Sequence, residues 1–250
     1  MFTGLIESVG TVLSLRETSG ATRLVVAAPN LAGRWRIGDS IAVNGVCLTA
    51  VDMDEQDGPH PGRFAADLAD ETIRRTTLSR LQPGALVNLE LPTPSGSPMG
   101  GHVVQGHVDA TGKLVSMIPL SSDLDHTDWR MTVEVPESMV SNIIPQGSIT
   151  IDGISLTVAK MDGRSIEIAV IPHTYKATNL RSLLSGSQVN LEADVLSRYA
   201  AQRSAYEALA PVPQPVTVPQ QVSVPDASIV PAVQHGDEWL TPEYLLANGY

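Results

Sequence analysis

The sequence is poor in cysteine, in aromatic residues and in basic charge. Cys47 is its single cysteine, so no intrachain disulfide can form and a reducing compartment is expected. Aromatic residues make up 4% of the chain, so its cores must consist of Val, Ile, Leu and Ala, which suit strands. Lys and Arg number 16 against 27 Asp and Glu, and the net charge of −11 argues against a nucleic-acid-binding protein.

We also expect neither a signal peptide nor a membrane-spanning segment. The N-terminal residues MFTGLIESVG contain neither the basic nor the apolar region of a signal peptide. No apolar run approaches the roughly 18 residues that a membrane-spanning helix needs. We therefore expect a cytoplasmic protein that binds a small molecule, and neither a membrane nor a nucleic acid.

What the chain does contain is one long internal repeat. VQGHVDATGKL at 104–114 matches FTGLIESVGTV at 2–12, and SITIDGISLT at 148–157 matches SIAVNGVCLT at 40–49. The repeat is about 100 residues long, which is the size of a small domain rather than of a solenoid unit. The second half of the chain is therefore a second copy of the first domain.

Within each copy the local patterns predict strands. Short β-branched segments are bounded by Gly, Pro or Asp. Asn44-Gly45 and Asp152-Gly153 predict tight hairpins, because a type I′ turn needs positive φ at both positions. Many short strands at this spacing indicate closed Greek-key barrels or a sandwich, and we favour two similar barrels. One short helical turn is expected in each copy, near 71–78 and 174–180.

The composition changes after Asp194. Residues 196–210, LSRYAAQRSAYEALA, are rich in helix formers and carry an apolar stripe, for which a partner subunit is the obvious cover. A Pro-, Val- and Gln-rich linker follows, and the last residues, 237–250, either dock on an unknown partner or form a floppy tail. We divide the chain into two barrels, the end of a helix, and a linker with a short C-terminal segment: 1–101, 102–198, 199–210 and 211–250.

The predicted hairpins place one chemically reactive side chain among polar neighbours. Residues that pair across a two-residue turn share a face. One face of each hairpin is therefore aliphatic, and the other carries hydroxyls in the second copy and Cys47 in the first. Cys47 is either a small buried hydrophobic residue or a functional thiol. The hydroxyl rows are either solvent-facing strand surface or the walls of paired pockets.

His102 and His107 are the histidines nearest to the start of the second copy. On an uninterrupted strand they point to opposite faces, so they make a poor metal pair, and at most one is expected in a site. His107 replaces Leu5 of the first copy and is either a structural residue or a base. No zinc-ligand spacing and no phosphate-binding glycine loop occurs in the sequence.

Seven motifs in register resemble one family. MFTGLIE, NGVCLT, ETIRRTTL, GGHVVQGHVD, DGISLTV, IPHTYKATNL and VNLEAD are similar to riboflavin synthases of the α-chain type over residues 1 to about 205. The resemblance implies an all-β fold of two homologous six-stranded Greek-key barrels and a C-terminal helix that joins three subunits. It also implies the last step of riboflavin biosynthesis, in which two molecules of 6,7-dimethyl-8-ribityllumazine give riboflavin and 5-amino-6-(ribitylamino)uracil. Neither a metal nor a cofactor is implied.

The resemblance also implies site residues, with each active site between the N-terminal barrel of one subunit and the C-terminal barrel of its neighbour. Cys47, His107 and Ser155 are the candidate catalytic residues, acting as nucleophile or water-orienting group, base and hydrogen-bond donor. The first expected pocket comprises Gly4, Leu5, Ile6, Cys47, Leu48, Thr49, Asp67, Leu68, Ala69, Asp70, Glu71 and Thr72. The second comprises Gly106, His107, Val108, Ser155, Leu156, Thr157, Ala169, Val170, Ile171, Pro172, His173 and Thr174. Phe2, Thr3, Ser40, Gln146 and Asp194 are expected to lie close to substrate.

Two departures from the family accompany the resemblance. Gln146 stands where the family usually has a Lys, which removes a charge near the second expected pocket. The Pro-rich tail is unusual and is a candidate for a separate interaction. The rival interpretation is a non-catalytic lumazine- or flavin-binding antenna protein on the same doubled barrel. Such relatives tend to lose the motifs of one pocket. The motifs of both pockets are present in this sequence, so we favour the enzyme.

Overall fold

The computed structural model describes residues 1–18, 20–51 and 62–209. This part of the chain forms two six-stranded antiparallel sheets in tandem, followed by a helix. The first sheet contains β1 (Ser8–Glu17), β2 (Thr22–Ala27), β3 (Ser40–Val43), β4 (Val46–Thr49), β5 (Phe64–Leu68) and β6 (Leu86–Glu90). The second contains β7 (Ala110–Pro119), β8 (Trp129–Glu134), β9 (Ser148–Ile151), β10 (Ile154–Asp162), β11 (Ser165–Val170) and β12 (Gln188–Ala193). The described residues also form the α-helices α1 (Asp70–Arg75), α2 (Pro172–Ala177) and α3 (Val195–Leu209), besides short 3-10 turns.

The two sheets have the same strand order. The first runs β4-β3-β6-β1-β2-β5, and the second runs β10-β9-β12-β7-β8-β11 and closes into a barrel through the β10–β11 pair. The ends of the first sheet meet at a bridge in which the Val51 N–H donates to the Ala65 carbonyl at 2.8 Å. We call the two sheets barrel one and barrel two. The expected all-β, duplicated, barrel-like fold is confirmed.

The central hairpin of each barrel has the predicted register. Asn44 and Asp152 both adopt a φ of 45° and are followed by glycines of positive φ, as a type I′ turn requires. Cys47 pairs with Ala42, and Ser155 pairs with Thr150. The aliphatic face of each hairpin is buried in its own barrel, and Cys47 is half-buried on the opposite face.

A buried polar network joins the two barrels at these turns. The Asn88 side-chain amide donates to the Asp152 carbonyl at 2.9 Å, and the Asn190 amide donates to the Asn44 carbonyl at 2.8 Å. The Asp152 carboxylate accepts from the Asn190 backbone N–H at 2.8 Å and from the Asn179 side chain at 2.9 Å. Burial outweighs these donors and raises the pKa of Asp152 to about 6. The barrels are therefore joined by directional hydrogen bonds rather than by apolar contact alone.

The helix predicted at 196–210 is α3, Val195–Leu209. Asp194 begins it, because its carboxylate accepts from the Leu196 N–H at 2.9 Å. Among the α3 side chains that the structure describes, Leu196, Tyr199 and Tyr206 are more than three-fifths exposed. The predicted linker and C-terminal segment at 211–250 lie outside the described residues. Across 1–209, apart from the two short gaps, no helix has the length and apolarity needed to cross a bilayer.

Candidate functional site

Two small pockets lie at equivalent places on the two barrels. The Cys47 pocket, of about 230 Å³, is lined from barrel one by Val46, Cys47, Glu71, Thr72, Arg75 and Thr76, and from the loop before β7 by Gly106, His107 and Val108. The Ser155 pocket, of about 200 Å³, is lined from barrel two by Ile154, Ser155, His173, Thr174, Ala177 and Thr178, and from the loop before β1 by Gly4, Leu5 and Ile6. Every position in one pocket has its repeat partner in the other.

The loop before β1 contacts barrel two, and the loop before β7 contacts barrel one, so we call them the exchanged loops. The Cys47 N–H donates to the Gly106 carbonyl at 2.9 Å, and the Ser155 N–H donates to the Gly4 carbonyl at 2.8 Å. The expectation that Gly4–Ile6 lies with Cys47 and Gly106–Val108 lies with Ser155 is therefore wrong. Phe2 and Val104 pair as an antiparallel bridge that joins the two loops to each other. Through Gly4 and Gly106, each loop contacts the opposite barrel before the first strand of its own barrel begins.

The exchanged loops approach the pocket floors so closely that only glycine fits. Gly106 has a φ of +77°, and a Cβ there would lie 2.6 Å from the Cys47 Cβ. Gly4 has a φ of +75°, and a Cβ there would lie 2.6 Å from the Ser155 Cβ. Both positions combine a left-handed backbone with contact distances that real Cβ atoms do not reach. The loop backbone therefore forms one wall of each pocket.

The two pockets differ chemically at four equivalent positions. All four contrasts are visible in the aligned repeat, but Arg75 and Ala177 were not among the expected site residues. Arg74 and Arg75 both pair with Glu71. Their hydrogen bonds lower the pKa of Glu71, and the bond from Arg74 has the larger effect. The four contrasts are Cys47 with Ser155, Glu71 with His173, Arg75 with Ala177 and His107 with Leu5.

His102 and His107 have different surroundings. His107 lines the Cys47 pocket, whereas His102 Nδ1 lies 2.7 Å from Ser155 Oγ and His102 Nε2 lies 3.5 Å from Thr150 Oγ1. Of the two, only His107 lines a pocket, and His102 reaches the Ser155 pocket through its contact with Ser155. Burial lowers the pKa of His102, and the charge of Asp194 opposes this only in part, so the imidazole is neutral near pH 7. Sequence alternation missed this contact because the chain here is a loop rather than a strand.

Several predicted substrate-binding residues do not line either pocket. Leu48, Leu68, Leu156 and Val170 are buried in the barrels, and Asp67 pairs with Arg23 at 2.7 Å on the surface. The remaining members of this group are half-buried or exposed: Ser40, Thr49, Ala69, Asp70, Thr157, Ala169, Ile171 and Pro172.

The four other predicted residues have defined neighbours. Phe2 is buried against Val104 and Cys47, and Thr3 donates its N–H and O–H to Glu90 at 2.6 and 2.7 Å. Gln146 is exposed with a φ of 65°, outside both pockets of this chain. Asp194 caps α3 beside His102. No group of three or more His, Cys, Asp or Glu side chains suited to a metal ion occurs among the described residues.

This geometry has clear counterparts among known proteins. The family model for the lumazine binding domain matches the chain twice, at 3–92 and 105–194. The protein therefore belongs to the class built on a repeated lumazine binding domain. Among solved structures, LumP complexed with riboflavin has a TM-score of 0.68 at 24% identity, covering 77% of this chain and 99% of that one. LumP complexed with 6,7-dimethyl-8-(1'-D-ribityl) lumazine has a TM-score of 0.66 at 23% identity. At this identity the likeness concerns the fold.

Sequence relatives are nearer. Riboflavin synthase from Mycobacterium tuberculosis is 43% identical over 203 residues, which cover 80% of this chain and 96% of that protein. Riboflavin synthase from Actinobacillus pleuropneumoniae is 39% identical over 202 residues, and the Bacillus subtilis protein is 36% identical over 199 residues. These cover 81% and 80% of this chain, and 89% and 87% of the two relatives. The chain belongs to the riboflavin synthase family.

Proposed function

We propose that this protein is a transferase that converts two molecules of 6,7-dimethyl-8-ribityllumazine into riboflavin and 5-amino-6-(ribitylamino)uracil by moving a four-carbon unit between them. The observation that carries the proposal is the presence of two pockets built from equivalent positions in a chain whose relatives are riboflavin synthases. Two copies of one pocket suit two copies of one substrate. A metal or cofactor has no part in the proposed reaction.

The chemical differences between the pockets support distinct roles for the two substrates. One lumazine must lose a proton from its C7 methyl group, and the other must accept carbon. In the Cys47 pocket, His107 moves a proton and the Cys47 thiol adds to a ring carbon or orients water there. In the Ser155 pocket, the Ser155 hydroxyl hydrogen-bonds the developing anion. Neutral His102 contacts that hydroxyl and fixes its direction.

The proposed active site is completed between subunits. Each pocket in one chain is a shallow cavity of about 200 Å³, which suits half of a site that a second copy closes. The exposed face of α3, formed by Leu196, Tyr199 and Tyr206, supports a homotrimer joined by this helix. Gln146, exposed and outside both pockets of its own chain, is proposed to face the site of a neighbour.

The remaining parts of the proposal rest on the sequence. The single cysteine and the absence of a disulfide support a cytoplasmic location. The residues 211–250, with their Pro-rich linker and aromatic last segment, are proposed to dock on another protein. The proposed domain division remains 1–101, 102–198, 199–210 and 211–250.

Incubation of the purified protein with 6,7-dimethyl-8-ribityllumazine alone tests the proposal. Riboflavin fluorescence should appear, and titration should find two lumazines bound per chain. Cys47→Ser and His107→Leu place in one pocket the residues of the other, so both variants should fold normally. Each should lower kcat by about 10²-fold or more with a smaller change in lumazine binding. Binding without conversion would instead support the antenna interpretation.

A further inference from the structure

Two buried carboxylates outside the candidate catalytic set hold the two exchanged loops. Glu90 ends β6 and Glu192 lies in β12, and each is 3% exposed. Both belong to the VNLE segments that recur in the two copies. An ionised carboxylate is costly to bury unless donors surround it, so the groups that face these two residues reveal their purpose.

Glu192 is surrounded by backbone donors of the loop before β7. Its Oε1 accepts from the Gln105 N–H at 2.8 Å. Its Oε2 accepts from the Gly106 and His107 N–H groups, both at 3.0 Å. Three consecutive amides thus converge on one carboxylate, a geometry that fixes the position and direction of the loop.

Glu90 makes the equivalent contacts in the first copy. Its Oε1 accepts from the Thr3 N–H and O–H at 2.6 and 2.7 Å, and its Oε2 accepts from the Gly4 N–H at 3.0 Å. The same arrangement therefore occurs twice, around equivalent loops. Each loop also accepts a hydrogen bond from the opposite barrel, at Gly106 from Cys47 and at Gly4 from Ser155.

We propose that Glu192 and Glu90 are positioning residues that each set the pocket on the opposite barrel. Glu192, in barrel two, holds His107 against the Cys47 pocket of barrel one. Glu90, in barrel one, holds Gly4 and Leu5 against the Ser155 pocket of barrel two. The catalytic consequence rests on the proposed function, whereas the geometric consequence for the pockets does not.

The charge state of Glu192 links this positioning to pH. Burial raises the pKa of Glu192 to about 7, against the lowering effect of the Gln105 and His107 amides. Arg198 of α3 also lowers it, and Asp109 beside β7 raises it. His107 and His102 are the other titratable groups on the held loop. Protonation weakens an acceptor of three N–H groups, so the loop should loosen as pH falls through about 7.

The variants Glu192→Gln and Glu90→Gln test this inference, with the single thiol as a local probe. In Glu192→Gln an NH₂ group replaces one of the two carboxylate oxygens. If it replaces Oε1, the Gln105 N–H loses its acceptor, and if it replaces Oε2, the Gly106 and His107 N–H groups lose theirs. The reaction of Cys47 with a disulfide reagent should then accelerate by about fivefold or more. Glu90→Gln should raise this rate less than Glu192→Gln does, because the Gly4 that Glu90 holds lines the other pocket and its loop reaches Cys47 only through Phe2.

Turnover provides the second measurement. Glu192→Gln should lower kcat by up to about 10²-fold with little change in KM, because His107 is displaced from the reacting atoms. The wild-type pH–rate profile should show two acid-side ionisations, one from Glu192 near pH 7 and one from His107. Glu192→Gln should lose the first and keep the second, whereas Glu192→Asp, which keeps the carboxylate, should retain both. An unchanged Cys47 rate, or two acid-side ionisations still present in Glu192→Gln, would overturn the proposal.

These measurements separate the inference from the proposed function. The thiol reaction needs no turnover, so it reports on positioning even if the wild-type protein forms no riboflavin. If Glu192→Gln does not fold, Glu192→Asp takes its place in the thiol measurement. Its shorter side chain cannot reach all three amides, so it too must accelerate the Cys47 reaction, and an unchanged rate there would also count against the proposal.

Discussion

Gly106→Ala should be among the most destabilising methyl additions in the chain. Gly106 combines a φ of +77° with close contact to Cys47 and Phe2. Its new Cβ would lie 2.6 Å from the Cys47 Cβ, 3.0 Å from the Cys47 nitrogen and 3.0 Å from Phe2 Cε2. The Cys47 backbone is fixed in a hairpin, so it cannot withdraw. The loop must move instead, and its hydrogen bonds to Glu192 and Cys47 must lengthen.

The structure allows the cost to be divided into two parts. A left-handed backbone costs an alanine about 1–2 kcal/mol. Overpacking against fixed neighbours costs about 1–3 kcal/mol more. The sum, about 2–5 kcal/mol, is a large fraction of the usual stability of a folded domain. Gly33 offers a matched control, because its φ is +75° and a Cβ there meets nothing within 4 Å.

Urea denaturation at one fixed protein concentration is the appropriate assay, because subunit association shifts apparent stability. Gly33→Ala should lower the unfolding free energy by the backbone cost alone, about 1–2 kcal/mol. Gly106→Ala should exceed it by about 1–3 kcal/mol and should also raise the reactivity of the Cys47 thiol. If the two variants lost equal stability, the close approach of the loop to Cys47 would be disproved.

Three further predictions concern the ion pair, the barrel seam and the helix. Arg75→Ala should weaken lumazine binding in the Cys47 pocket, as measured by titration, whereas Arg74→Ala should not, although both exposed pairs with Glu71 contribute little stability. Because the pKa of Asp152 rises from 3.8 to about 6 on folding, its stabilising contribution is complete below about pH 4 and is lost as pH rises through 6. In Asp152→Asn, the free energy of unfolding measured in urea should decrease less between about pH 4 and about pH 6 than in the wild type. Tyr206→Glu should lower the mass measured by light scattering without unfolding the chain, if α3 joins subunits.

The sequence was sufficient for the parts of the fold that depend on local rules. Asn-Gly and Asp-Gly define their turns through backbone φ alone, and the register of each hairpin follows by simple counting. The duplicated strand order follows from the repeat. The connection at 120–128 is longer than its counterpart at 18–21, as an insertion between the two aligned blocks of the second copy requires. These features need no knowledge of how distant segments meet.

The parts that could not be predicted are those in which segments of the two copies meet. A repeat aligns Gly4 with Gly106, but it does not say which barrel each loop touches. The contact of His102 with Ser155 has the same origin, since it joins residues from a loop and a strand that counting along the chain cannot bring together. The recurrence of VNLE was a usable signal for Glu90 and Glu192, because a charged residue that recurs in a buried strand needs a partner.

Because the loops are exchanged, each pocket depends on residues from both copies of the repeat. If each barrel formed its own pocket from its own loop, the two halves could diverge or separate without loss of either site. Here the Cys47 pocket needs the loop that leads into barrel two, and the Ser155 pocket needs the loop that leads into barrel one. A chain cut between the barrels should therefore lose both pockets together. The two halves can still differ at positions 47, 71, 75 and 107, where the copies carry different chemistry within one shared framework.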